Sequence, residues 1–127
     1  GADAVLLICR LLSAAQLGEY LAQVQELGLS ALVEAHTAGE VQEALAAGAE
    51  IIGVNNRNLK DFSVNLLNSL RLRDAIPASK IFVAESGIQC AADAKALKQA
   101  GVQAVLVGEA LMRSADASAM LKEMRDA

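Results

Sequence analysis

At 127 residues, 54% hydrophobic with a single proline, the chain has the length of one ordinary domain and too much apolar content for a disordered one. A net charge of −4, two Phe, one Tyr and no Lys/Arg run leave neither an electrostatic footprint nor a stacking surface for nucleic acid. No apolar segment approaches the ~20 residues that span a bilayer, and the start carries no charged-then-apolar signal, so a soluble cytoplasmic protein with no membrane partner is expected.

The first predicted strand is GADAVLLI from Gly1, ending in Cys9-Arg10. Ser13 and Gln16 then fit a capping box, in which a hydroxyl and the residue three later satisfy orphan backbone donors. Leu17, Leu21, Val24 and Leu27 follow on one face at helical spacing, and Gly28 supplies a stop. The second strand, GLSALVEA from Gly28, ends in Glu34-Ala35-His36. A second box, Thr37 with Glu40, opens a helix through Val41, Ala44 and Leu45 to Gly48. The third strand, GAEIIGVN from Gly48, ends in Asn55-Asn56-Arg57, and a helix is predicted from Leu66 to Ala75. PASKIFVAES from Pro77 is the fourth strand region, ending in Glu85-Ser86-Gly87 before a helix from Cys90 to Ala100. GVQAVLVG from Gly101 is the fifth, ending in Gly108-Glu109, with a last helix from Asp116 to Asp126.

The phrases at Gly1, Gly48 and Gly101 resemble one another and are spaced by roughly two units of about 25 residues. Strand–helix alternation with near-continuous apolar strands predicts an α/β fold whose parallel sheet is covered by helices. Five βα units form either an open, doubly wound, flavodoxin-like sheet or part of a (βα)8 TIM-type barrel, and periodicity does not choose. Gly48 and Gly101 each close a helix before their strand, whereas Gly1 has none before it, so residues 1–127 read as a single (βα)5 unit cut from something longer. A natural domain beginning on a strand is the alternative.

Cys9 and Cys90 match no metal-ligand spacing and read as buried thiols rather than a disulfide. His36 is the sole histidine, which argues against a His metal cage or a His-driven triad, although a lone His can carry a proton. No metal is expected.

In parallel α/β folds ligands bind beyond the carboxyl ends of the strands, and four of the five endings here carry chemically useful side chains. Alternation places Glu34 on the face of Leu32, among apolar neighbours, where desolvation raises a carboxyl pKa toward that of a general acid or base. The competing reading is a rim Glu that caps a loop. Asn55, on the face of Gly53, offers an amide to a polyhydroxy ligand without titrating. Asn56 is read as a turn or surface residue, while Arg57 is either a surface residue or a fork reaching a carboxylate or phosphate. Gly87 and Gly108 sit just past strands, where backbone N–H groups approach an anion and short following helices add their dipoles. Paired glycines of this kind mark the phosphate site after the last two strands of a (βα)8 barrel; the plain alternative is two tight turns.

These residues resemble the indole-3-glycerol-phosphate synthase family. LVEAHTAGEVQEALAAGAEIIGVNNRNLKDF, IFVAESGI and AVLVGEALM are similar to its fifth to eighth strand regions, and GADAVLLI to its fourth. The resemblance implies a TIM barrel closing the ring of a carboxyphenylamino-deoxyribulose phosphate, with loss of carbon dioxide and water and without cofactor or metal. It makes Glu34 the catalytic carboxylate, Asn55 the substrate-positioning amide and Ser86 the strand-seven hydroxyl. Arg57 and Glu85 become substrate-binding residues, and Gly87, Gly108 and Glu109 phosphate-binding turns, with Glu109 giving only its backbone N–H. The family's catalytic lysines and a further glutamate lie on its first three strands, which nothing in this sequence matches. Lys60, Lys80, Lys95, Lys98 and Lys122 fall in loops, helices or the starting side of a strand. An inactive half-site is therefore expected, alongside a second reading as a non-catalytic (βα)5 module that binds phosphate or self-associates through open sheet edges.

Overall fold

A computed structural model describes residues 1–58 and 60–127. Its order is β1 (Ala4–Ile8), α1 (Ala14–Glu26), β2 (Ser30–Ala35), α2 (Ala38–Ala46), β3 (Ile51–Asn55), α3 (Leu67–Leu72), β4 (Ile81–Glu85), α4 (Ala91–Gln99), β5 (Ala104–Leu106), α5 (Glu109–Arg113) and α6 (Ala117–Asp126). Short 3-10 turns follow β1 and α3. The five strands are parallel and stand in chain order, β1-β2-β3-β4-β5. A doubly wound sheet reverses strand order at a switch point, and this one does not, so the flavodoxin-like arrangement gives way to a stretch of barrel wall.

Local sequence explains the element starts. Both Ser13 with Gln16 and Thr37 with Glu40 form complete capping boxes. Cys90 and Asp93 form a third at the start of α4. The helix-facing side of the sheet is the core: Val33, Ile52, Val54, Phe82 and Ala84 are fully buried against Leu17, Val41, Ala44, Leu72 and Leu97. On the opposite face Leu6, Ile81 and Leu106 are about half exposed, at 47%, 47% and 53%. The sheet thus has one dry face and one open one.

Away from the strand exits, Leu27 and Cys90 depart from the sequence reading. Leu27 does not join the apolar face of α1; it is the C-cap and is exposed, because the helix stops one residue before it. Both cysteines are free thiols, but Cys90 is exposed rather than buried, since it caps α4 from the surface. Cys9 is buried, and burial pushes its thiol up to about 11. Among the described residues no helix is long and apolar enough to cross a membrane, and no cluster of His, Cys, Asp or Glu is arranged to hold a metal ion.

Candidate active site

The strand register decides what meets what. Ile8 lies beside Glu34, Glu34 beside Gly53, Asn55 beside Glu85, and Glu85 beside Leu106. Residues in register across parallel strands share a face, so Glu34, Gly53, Asn55 and Glu85 all project from the open face of the sheet near its carboxyl edge. Three of the polar side chains expected at the site are buried there: Glu34, Asn55 and Glu85.

Asn55 has its orientation fixed from both ends. Its Nδ2 donates to Glu34 Oε1 at 3.1 Å, and its Oδ1 accepts the Arg57 backbone N–H at 2.9 Å. A flipped amide would set oxygen against carboxylate oxygen and N–H against N–H, so the arrangement is unambiguous. The Asn55 carbonyl in turn lies 2.8 Å from His36 Nδ1 and accepts from Asn68 Nδ2 at 3.2 Å.

Glu85 bends across the neighbouring strand. A methyl group built on Gly53 would overlap Glu85 Oε1, so the carboxyl lies directly over that glycine, with Leu32 on the far side. Burial, then the charge of Glu34, then a hydrogen bond to Glu34 push the Glu85 carboxyl up to about 7. The family resemblance made Glu85 a substrate contact, and the sequence reading used Gly53 only to place the face of Asn55, not as a point of close approach. The signal was present: a glycine inside an apolar strand marks a close approach.

Asn56 is the clearest correction. It is buried, not a surface turn: its N–H donates to the Glu85 carbonyl, its Nδ2 donates to the Ser86 carbonyl, and its Oδ1 accepts from both Ser69 N and Ser69 Oγ. One amide therefore ties the exits of β3 and β4 to α3. Ser86, which follows, adopts φ 64°, a left-handed conformation that costs a non-glycine residue about 1 kcal/mol or more. Gly87 continues the turn at φ 77°, with Val64 Cγ1 2.5 Å from where its side chain would start.

The exits of β3, β4 and β5 border a cleft of about 450 Å³ lined by Arg57, Glu85, Ser86, Gly87, Gly108 and Glu109 among others. An adjoining cleft of about 380 Å³ adds Val64, Arg113 and Met120. Gly108 borders open space, whereas the Gly87 turn is packed against Val64 and Asn56. Gly108 leads straight into the short helix α5, whereas Ile88, Gln89 and Cys90 separate Gly87 from the longer α4. Arg57 pairs with the side chain of Glu109 at 2.7 Å, and Arg113 reaches the same carboxylate at 3.2 Å. The Glu109 side chain, expected to stand aside, bridges two arginines at the mouth. None of the lysines lines these clefts, and Lys80 pairs with Glu50 on the starting side of β4.

Parallel strands in sequence order, helices outside, and a buried polar cluster with glycine turns at the strand exits define part of the wall of a parallel βα-barrel. The 3-hexulose-6-phosphate synthase of Salmonella typhimurium superposes with a TM-score of 0.83 at 17% identity, covering 99% of this chain and 61% of that one. A thiamine phosphate pyrophosphorylase from Pyrococcus furiosus gives 0.74 at 22% identity, over 98% and 58%. At such identities the likeness is one of fold. The indole-3-glycerol phosphate synthase family model matches residues 1–124, and the chain belongs to that family. Indole-3-glycerol phosphate synthases from Ruminiclostridium cellulolyticum and Lactiplantibacillus plantarum are each 54% identical over 125 residues, covering 98% of this chain and 48% of theirs. The chain thus spans about half the length of those relatives.

Proposed function

We propose that residues 1–127 supply the fourth-to-eighth-strand part of an indole-3-glycerol phosphate synthase active site in tryptophan biosynthesis, a cytoplasmic carboxy-lyase acting on a small sugar phosphate. The observation that carries this reading is the buried Glu34–Asn55–Glu85 cluster on one sheet face, beside a cleft bordered by Gly87 and Gly108. Glu34 acts as the catalytic carboxylate, Asn55 orients the substrate, and Ser86 offers a hydroxyl from a strained turn. The Gly87 and Gly108 turns and the Glu109 backbone N–H receive the phosphate, with Arg57 beside them. No cofactor enters this chemistry.

The test is a hybrid in which residues 1–127 replace the corresponding half of the Ruminiclostridium cellulolyticum synthase. Turnover is expected, with a loss of about 100-fold or more in kcat for Glu34→Gln. A folded hybrid with no turnover would sink the reading. A polypeptide of residues 1–127 alone is expected to give none, and full activity there would refute the half-site assignment.

A second reading draws on the open face. Leu6, Ile81 and Leu106 are exposed there, and β1 and β5 each pair on one side only among the described residues. Apolar area and free strand edges favour self-association of the chain. Light scattering coupled to size exclusion checks this, and a clean monomer at high concentration would count against it.

A further inference from the structure

Two buried carboxyls lie close together on one face of the sheet, and among the described residues no cation pairs with either. Glu34 is 7% exposed and Glu85 3%. Glu85 reaches toward β2 only because Gly53, the register partner of Glu34, has no side chain to block it. Neither carboxyl has a salt-bridge partner among the described residues, and Glu85 Oε1 is a buried oxygen with no donor. The charged groups around them are already engaged. Arg57, which borders the Glu85 cleft, is held by Glu109; Arg10, near Glu34, lies 3.8 Å from Glu40; His36 directs Nδ1 to the Asn55 carbonyl. Glu34 Oε1 accepts from Asn55 Nδ2, a neutral amide that brings no positive charge to the pair.

Two like charges in such a place cannot both persist near neutral pH, and a single proton placed between them satisfies both the repulsion and the orphan oxygen. We infer that Glu34 and Glu85 form a one-proton carboxyl pair closed over Gly53, with Glu85 the protonated partner that donates to Glu34. Gly53 is the positioning residue of the pair. The raised Glu85 titration described above agrees with this assignment. The proton sharing does not depend on the synthase reading.

The test is a 13C NMR titration of the glutamate side-chain carboxyls in the 127-residue chain, without substrate. A shared proton predicts that the Glu34 and Glu85 resonances each report both titration steps, the upper near pH 7. Two independent single steps in the ordinary carboxylate range would overturn it. Glu34→Gln keeps the acceptor for Asn55 and removes the charge, so the Glu85 midpoint should fall, with proton binding about tenfold weaker. Gly53→Ala pushes the carboxyl toward the open face and should lower the same midpoint. An unchanged midpoint in either folded variant would refute the pair. Because no turnover is read, a failed hybrid assay leaves this result standing, and an uncoupled titration leaves the synthase reading standing.

Discussion

Asn56 uses its backbone N–H and both side-chain polar atoms in four hydrogen bonds, reaching Glu85, Ser86 and Ser69. Removing its side chain would leave the buried Ser69 N and the partly buried Ser86 carbonyl without these partners, and an orphaned buried group costs about 1–3 kcal/mol. Asn56→Ala is therefore expected to lose about 2–4 kcal/mol of unfolding free energy in urea. Asn56→Asp should also be poor, because it keeps the Ser69 acceptor but loses the donor to Ser86 and buries a charge. A loss below about 1 kcal/mol for the alanine variant would show that the strand exits are held by something else.

Elements defined by local chemistry could be read from the sequence. The boxes at Ser13–Gln16 and Thr37–Glu40 need only residues three apart, and both helices begin where those residues place them. Alternation likewise put Glu34 and Asn55 on the site face, because side-chain direction along a strand depends on neighbours alone. What depended on distant partners was not legible. Asn56 resembles a turn residue until β4 and α3 close around it, and Cys90 resembles a core residue until it is seen capping α4 beside Asp93. The Glu109 carboxylate looked like a hindrance to an anion until Arg57, 52 positions away, arrived across the cleft mouth. Strand order belongs to the same class: five βα units fit two topologies, and only the pairing of β1 through β5 in sequence selects the barrel wall.

At the scale of the whole molecule, a buried acid with a raised pKa makes folding itself depend on pH. Glu85 moves from an ordinary 4.5 to about 7 on folding, so between those values the native chain binds more protons than the unfolded one. Its contribution is fully present below about pH 4.5 and is lost as pH rises through about 7, at no more than about 1.4 kcal/mol per pH unit and roughly 3 kcal/mol in all. The other resolved shifts act elsewhere. Asp61 is lowered by its hydrogen bonds to Ser63, so its stabilisation fades only as the solution becomes more acidic than its ordinary 3.8; Cys9, raised to about 11, acts only above about pH 9. Urea midpoints should therefore be lower at about pH 8 than at about pH 5, and Glu85→Gln, which has no proton to lose, should flatten that difference. A wild-type midpoint that rises over the same interval would mean that Glu85 is ionised in the folded chain at neutral pH, with its charge compensated by a group outside the arrangement described here.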